Sequence, residues 1–455
     1  MIQKNILYAL IFVFLNPMLL LAQKSWSLDE CINYAIENNL SIKDFKYSQD
    51  SGLETKRQAY RNLFPRVSGN VGYSIQYGRS VDPNNNTFVS TDFFSNNYSI
   101  NASVDIFNGW QKLNTIASAK FIHKALSEET LQEKYMLAFR VMEQYYNVLY
   151  FKKSVEIFKA QEHISKTNYT FVKRQKDMGI KAGADVYTAE SALMTDKLKL
   201  TQAINNLQLA KLQLAQEMNL ENPSEIRIND IPAFGWKEKE NDSIHSVKHI
   251  YNKATFFIPS IKASKARVAS AKKELAISRG ALAPMLSFSL GYGTGYYETN
   301  VDDTGNIIPF NKQLKDNAST SVGVNLRIPI FQAWSRRSNV KQKKIALLQA
   351  ENNFELEKQE LRKIIEQLIQ DYKSSISEYE QTQQQEKARE LSFKIAQKKY
   401  NNGLINAIDL NTEKNLYATA QNENLQVQLK LKVQEQTLLF YRGIQVFNIK
   451  KTNKR

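Results

Sequence analysis

Four short stretches of the chain alternate strictly between apolar and polar residues. In the first half the apolar positions are Val67, Val71, Tyr73, Ile75 and Tyr77, and then Tyr98, Ile100, Ala102, Val104 and Ile106. In the second half they are Leu286, Phe288, Leu290 and Tyr292, and then Val322, Val324, Leu326, Ile328 and Ile330. A period of two places all of these side chains on one face of a β-strand. The sequence therefore predicts four strands, at about 66–77, 98–107, 285–296 and 319–331.

The character of the two strand faces favours membrane strands. Each stretch has roughly the 9 to 11 residues of a tilted strand that crosses a bilayer, and aromatic residues lie toward its ends. The opposite face is small and polar, as a water-filled lumen requires, and its charges within the alternating stretches are Asp105 and Arg327. A half-buried sheet of a soluble protein shows the same alternation and is the alternative.

Long helices are predicted after each strand pair. Residues 111–178 contain no glycine or proline, and neither do residues 333–402. Both segments have apolar residues at heptad-like spacing. At 1.5 Å per residue such a helix is about 100 Å long. Each long helix ends at a short break that contains glycine, near 178–185 and 402–409, and a second helix follows. The pattern thus predicts two long helical hairpins, each with a tip.

The two halves of the chain repeat each other. Pro65 and Pro284, which precede the first strand of each pair, define one offset in residue number, and Trp110 and Trp334 define a second, slightly larger offset. The change of offset falls in the polar loops between the strands. We therefore predict a mainly α fold with a membrane β-barrel portion, built from two structural repeats. Their bounds are 23–220 and 259–442, with a linker at 221–258 and a basic tail at 443–455.

The N-terminus predicts export. Residues 1–22 have a lysine, then an apolar run and a final alanine, as in a cleaved signal peptide. Cys31 is the only cysteine, so no disulfide forms within one chain. The formal net charge of +16 is compatible with nucleic-acid binding, but lysines alternate with Glu and Gln along the helices, as on a solvated helix face. A soluble basic coiled-coil scaffold or nucleic-acid-binding protein is the alternative, and it explains neither the signal peptide nor the strands.

The sequence offers no catalytic or cofactor site. It contains no G-x-x-x-x-G-K-[ST] phosphate loop and no convincing cluster of acids, nucleophiles or histidines. His245 and His249 are four residues apart, but two histidines without a third ligand are more often surface residues than a metal site. We predict a protein that is not an enzyme and needs no cofactor or metal.

Four strands cannot close a barrel, and strand edges in lipid must be paired. Other copies of the chain must therefore complete the sheet. Single-chain barrels begin at 8 strands, so at least two copies are required, and three copies would give twelve strands.

With this plan the sequence resembles the TolC family of bacterial outer-membrane efflux proteins. The resemblance covers nearly the whole mature chain and includes both tip motifs, at 179–186 and 400–410. It implies a homotrimer with a twelve-stranded barrel in outer-membrane lipid and a periplasmic helical tunnel. It also implies two partners, a periplasmic adaptor (membrane fusion) protein and an inner-membrane transporter, in a tripartite efflux or type I secretion system. Drugs, metal ions and polypeptides all leave through ducts of this kind, so the cargo stays open.

The same resemblance suggests roles for tip residues. Gly179 and Gly403 match the tips that contact the adaptor, and Asp185, Tyr400 and Asp409 match positions that help to hold the tunnel closed. Ile405 stands where some family members have an arginine, and Thr412 where some have a second acid, so we consider Lys181 a substitute cation. Plain helix capping is an equally good interpretation of Asp185 and Asp409.

Overall fold

The computed structural model describes residues 25–81, 86–90, 92–222, 226–229 and 246–449. The predicted signal peptide, His245, half of the predicted linker and the last six residues of the basic tail lie outside these ranges. The described residues are mostly helical and form two compact units. One comprises the described residues within Met1–Lys46, Thr130–Pro259 and Lys358–Arg455, and the other comprises those within Tyr47–Glu129 and Ser260–Glu357.

The elements follow the same general order in each half of the chain. The first half contains β1 (Ser25–Trp26), α1 (Leu28–Asn38), α2 (Leu40–Arg61), β2 (Arg66–Gln76), β3 (Ser80–Val81), β4 (Phe88–Val89), β5 (Phe93–Phe107), α3 (Gln111–Asp177) and α4 (Gly183–Met218). The second half contains β6 (Arg227–Ile228), α5 (Val247–Phe257), α6 (Pro259–Gly280), β7 (Met285–Tyr297), α7 (Phe310–Asp316), β8 (Ser319–Arg327), α8 (Ser335–Asn401) and α9 (Ala407–Tyr441).

Two strands differ from their predicted bounds. Strand β5 begins at Phe93, five residues before the predicted start, because residues 93–97 pair with Gln76–Gly72 of β2. Strand β8 ends at Arg327, four residues before the predicted end, because its last partner is Met285, the first residue of β7. The polar loop before β8 contains the short helix α7.

The four long strands form one antiparallel sheet in the order β2-β5-β7-β8. Its register aligns the apolar faces of the four strands with one another. Ile100 of β5 lies opposite Gly69 of β2 and Tyr292 of β7, and Leu290 lies opposite Ala102 and Val322. The small polar residues form matching rows on the other face, among them Ser68, Asn101, Gly291 and Ser321. The alternation in sequence thus becomes one apolar face and one polar face across all four strands.

The apolar face of the sheet is open to solvent in the single chain. Val71 is 79% exposed and Val322 is 67% exposed, and their neighbours on the same face are exposed as well: Val67, Tyr73, Ile100, Leu290, Tyr292, Val324 and Leu326. A contiguous apolar surface of this kind marks contact with a membrane or with another protein. In the part of the chain that is described, β2 and β8 each have a single neighbour in this sheet, so both are edge strands.

The main apolar core belongs to the first of the two units. Helices α1, α3 and α4 contribute most of its buried side chains, including Ile32, Leu137, Val141, Leu149 and Leu214. The N-terminus of α1 is fixed by a capping box in which Ser27 and Glu30 bond to each other's backbone N–H groups. None of the helices described here is both long and apolar enough to cross a membrane.

Candidate functional site at the two helix reversals

The first long helix, α3, ends in a left-handed turn at Gly179. This residue has φ +75°, and its N–H donates to the carbonyl of Lys176 at 2.9 Å. The N–H of Ile180 reaches back to the carbonyl of Gln175 at 2.8 Å. The two bonds satisfy carbonyls at the helix end that would otherwise lack partners. A Cβ on Gly179 would meet nothing within 4 Å, so glycine is needed for its backbone conformation and not for space.

The second long helix, α8, ends in the same way. Gly403 has φ +76°, and its N–H donates to the carbonyl of Tyr400 at 3.0 Å. The N–H of Leu404 bonds to the carbonyl of Lys399 at 2.9 Å. The two tips therefore share one backbone conformation, and Gly179 and Gly403 occupy equivalent positions in it.

The helices that follow the tips begin differently. At α4 the first-turn carboxylate of Asp185 accepts a hydrogen bond from the backbone N–H of Ala182 at 3.3 Å. At α9 the capping acceptor is the side chain of Asn406, whose Oδ1 accepts from the N–H of Asp409 at 2.9 Å. Asp185 thus takes part in capping, as one interpretation of the sequence held. For Asp409 that interpretation needs correction, because Asn406 supplies the cap and Asp409 contributes its N–H.

Tyr400 lies beside the first tip. Its half-buried side chain packs against the buried cluster of Phe393, Ala396 and Leu410. Burial raises the pKa of Tyr400, and the negative charge of Asp185 raises it further, whereas a hydrogen bond with Asn168 lowers it. The charge of Asp185, in the first half of the chain, therefore acts on the phenol of Tyr400 in the second half.

The other tip candidates are placed differently. Lys181 and Asp409 are exposed, and Lys181 makes no hydrogen bond or ion pair with any residue that the structure describes. Ile405 packs on the same apolar cluster as Tyr400, which suits an apolar side chain at that position better than an arginine. Thr412 donates its hydroxyl to the carbonyl of Ile408 at 3.0 Å, within its own helix.

A buried ionic cluster lies on the same helices and was not anticipated. Lys414 of α9 bonds to Asp196 of α4 and to Ser165 of α3, and Ser165 donates to Asp196 Oδ2 at 2.5 Å. All three residues are almost fully buried. Burial lowers the pKa of Lys414, although Asp196 opposes that shift. In the sequence Lys414 belongs to a helix with evenly spread polar residues, so only the three-dimensional packing identifies it.

Apolar side chains project from both tips. Ile180 is 64% exposed and Leu404 is 71% exposed, and these residues follow the two equivalent glycines directly. Met178 and Ile408 are similarly exposed. Single exposed apolar residues are common on proteins, but two equivalent turns that each present one form a repeated surface feature.

The described residues offer little to a metal ion. No group of three or more His, Cys, Asp or Glu side chains within them is arranged to hold one. His249 lies in the first turn of α5, where its backbone N–H donates to the Ser246 hydroxyl at 3.4 Å. The other half of the predicted histidine pair, His245, is outside the described ranges.

Comparison with known proteins agrees with this architecture. Outer membrane protein TolC of Vibrio cholerae is 20% identical over 334 residues, which cover 72% of this chain and 70% of that protein. The CmeC outer membrane channel of Campylobacter jejuni superposes with a TM-score of 0.76 at 16% identity, over 91% of this chain and 85% of that one.

The MtrE outer membrane channel of Neisseria gonorrhoeae, solved in an open state, gives a TM-score of 0.74 at 16% identity, over 93% and 91% of the two chains. Residues 31–220 and 251–443 both match the outer membrane efflux protein family. Because these two segments make up most of the sequence, the chain belongs to the outer membrane efflux protein family and is a channel protein of the bacterial outer membrane.

Proposed function

We propose that three copies of the chain form one channel, each contributing four strands to a twelve-stranded barrel. The observation that carries this proposal is the sheet, which has a continuous exposed apolar face and two edge strands, β2 and β8. Lipid around the barrel would cover the apolar face. Neighbouring copies would pair the edges, because an unpaired backbone group in hydrocarbon costs several kcal/mol. The match of one family to two separate segments supports the internal duplication of the chain.

The long helical hairpins form the periplasmic tunnel in this proposal, and their tips receive the adaptor protein. Two observations support the tips as the contact. Gly179 and Gly403 build the same turn, and each turn presents an exposed apolar residue, Ile180 or Leu404. Two equivalent exposed apolar side chains suit a partner that contacts both halves of the chain in the same way. An inner-membrane pump would supply the energy for transport through this passive duct.

Tyr400 and Asp185 are the best candidates for the gate, because Tyr400 bonds to Asn168 of the other hairpin and the charge of Asp185 acts on it. Tyr400 belongs to the end of α8, Asp185 to the start of α4, and Asn168 of α3 bonds to the tyrosine. Asn168 and Tyr400 link the two hairpins, so breaking this link would loosen the hairpins near their tips. Asp409 and Lys181 are exposed and are weaker candidates within one chain, although both are available to a neighbouring copy.

The assembly is tested by measuring the mass of the purified protein in detergent. Light scattering with correction for bound detergent should give three times the mass of the mature chain, together with a mainly helical circular dichroism spectrum. A monodisperse monomer that keeps its full β content would overturn the proposal, because its strand edges would then be stable without partners.

A further inference from the structure

The two strand hairpins of the sheet pair in the same register. Arg66 of β2 lies opposite Ser103 of β5, and Met285 of β7 lies opposite Arg327 of β8. Arg66 and Met285 are separated by the same offset as the two prolines that precede these strands, whereas Ser103 and Arg327 are separated by the larger offset of Trp110 and Trp334. These are the two offsets at which the sequence repeats. Each residue of β2 therefore has an equivalent in β7, and residues 95–103 of β5 have equivalents in β8.

The equivalence extends past the strands into the turns that lead to the long helices. Gly109 and Trp110 precede α3 with φ of +63° and +61°. Their equivalents, Ala333 and Trp334, precede α8 with φ of +45° and +60°. Positive φ is unfavourable for alanine and tryptophan, so a shared backbone of this kind does not arise by chance. The two hairpins leave the sheet through the same bend.

The sheet also shows how one hairpin pairs with the next. Strand β5 ends the first hairpin and β7 begins the second, and Ile100 lies opposite Tyr292 in their ladder. Strand β8, the equivalent of β5, lacks a second neighbour among the described residues, as does β2, the equivalent of β7. In a closed barrel the tilt of the strands and the stagger between neighbouring strands are linked. Equivalent hairpins therefore fit together best when every join between them has the same stagger.

This inference rests on the proposed ring of identical copies. We propose that β8 of one copy pairs with β2 of the next copy in the register of β5 with β7. Applying the two offsets to the pair Ile100 and Tyr292 places Val324 opposite Tyr73 of the partner subunit. The pair Ala102 and Leu290 likewise places Leu326 opposite Val71 of the partner subunit.

The faces of the sheet agree with this register. Val324, Leu326, Tyr73 and Val71 all belong to the exposed apolar face. A slip by one residue would set every apolar side chain of β8 against the polar face of β2, which the lipid would penalise. Only slips by two residues compete, and these would give the join between copies a different stagger from the join inside a copy.

The proposed pairing also explains why β8 ends early. Residues 104–107 of β5 pair only with β7, because the ladder to β2 ends at Ser103. Their equivalents are residues 328–331, which lie outside any strand, with Ile330 93% exposed and Phe331 75% exposed. In the ring these residues would extend β8, and Phe331 would take the place of Phe107, opposite Val67 of the partner subunit.

Disulfide trapping tests the register directly. Residues that face each other across an antiparallel pair have Cα atoms about 4.5 to 5.5 Å apart, within disulfide range, whereas a two-residue slip adds about 7 Å along the strand. The test variant is Val324→Cys/Tyr73→Cys. The matched control is Ile100→Cys/Tyr292→Cys, in which the equivalent pair lies within one chain. The variants Val324→Cys/Val71→Cys and Val324→Cys/Ile75→Cys test the two registers that are slipped by two residues. The native Cys31 is fully buried.

After mild oxidation of membranes, the test variant should run as covalent dimer and trimer on a non-reducing denaturing gel. The control should stay monomeric but form its internal disulfide, and the slipped pairs should remain largely reduced. Preferential cross-linking of a slipped pair would overturn the register, as would a trimer that none of the interchain pairs links while the control oxidises. A monomer by light scattering would instead overturn the assembly on which the register rests.

Discussion

Lys414 and Asp196 form an ion pair in which only 2% and 3% of the two side chains are exposed. The pair joins α9 to α4, and Ser165 of α3 completes it. Charges this deeply buried are tolerated only when each has a partner, because the protein interior solvates a lone charge poorly. The cluster therefore fixes how three of the four hairpin helices pack.

We expect Lys414→Met to lower the free energy of unfolding by about 3 to 5 kcal/mol, because it leaves Asp196 buried without its cation. The double variant Lys414→Met/Asp196→Leu should recover most of that loss. Urea unfolding followed by circular dichroism at 222 nm measures both. The matched control is Lys430→Met, which breaks an exposed pair with Glu378 and should cost less than about 1 kcal/mol. Equal losses for Lys414→Met and Lys430→Met would contradict this account.

The effect of the Asp185 charge on Tyr400 predicts a pKa change in a variant that lacks this charge. An ionised phenol beside a carboxylate is repelled, so Asp185→Asn should lower the pKa of Tyr400 toward its ordinary value of 10. Burial, the larger cause, should keep it above that value. Carbon-13 NMR of labelled tyrosine, assigned with Tyr400→Phe, follows the titration. Asp409→Asn removes the corresponding charge at the other tip and should leave the signal of Tyr400 in place. A change of the same size in the pKa of Tyr400 in both variants would show that Asp185 has no specific effect on this residue.

The two faces of the sheet should respond differently to charge. Val104→Arg places a guanidinium on the apolar face in mid-strand and should cost roughly 2 to 4 kcal/mol in lipid, so that less trimer reaches the outer membrane. Ser103→Arg, one residue earlier on the polar face, should insert normally and alter conduction instead. Ser103 is a better comparison than Gly323, whose substitution would crowd the hydroxyl of Ser289. Equal insertion of both arginine variants would show that the apolar face does not meet lipid.

The tip glycines should be sensitive to substitution in spite of the open space around them. Gly179→Val and Gly403→Val force a β-branched residue into positive φ, at a cost of at least about 1 to 2 kcal/mol, and should distort the turn. Export should fall, with trimer formation preserved. Gly183→Ala is the control, because Gly183 begins α4 without positive φ and a Cβ there meets nothing within 4 Å. Normal export in both valine variants would show that the tips do not form the adaptor contact.

Local sequence patterns were sufficient for much of this fold. Alternation at period two identified strands and also their faces, because residues directly opposite each other in neighbouring strands project to the same face of the sheet. The long helices begin and end within about two residues of the glycine-free and proline-free runs, since nothing inside such a run interrupts the helix. The asparagine cap at Asn406 was also readable in principle, because an Asn three residues before an acid is a common helix start.

Features that depend on tertiary contact were not accessible in this way. The buried role of Lys414 was missed because a lysine in a mixed polar helix normally faces solvent, and only its meeting with Asp196 and Ser165 gives it a partner. The link from Asn168 to Tyr400 joins residues from different halves of the chain. Helix α7 depends on Gln313, which is fully buried and bonds to both backbone groups of Tyr297. No local pattern reports such a contact.

Conductance of the purified protein in a planar lipid bilayer tests the channel and its gate together. The wild-type protein should give discrete steps, and Asp185→Ala should enlarge them, because the carboxylate that we propose helps to close the tunnel is then absent. Asp409→Ala should have a smaller effect, since Asn406 caps its helix and its own side chain is exposed. Unchanged conductance in Asp185→Ala, with a stability loss of about 1 kcal/mol, would reduce Asp185 to a helix cap. The absence of any conductance steps from protein shown to be inserted would contradict the central claim that this chain forms a channel.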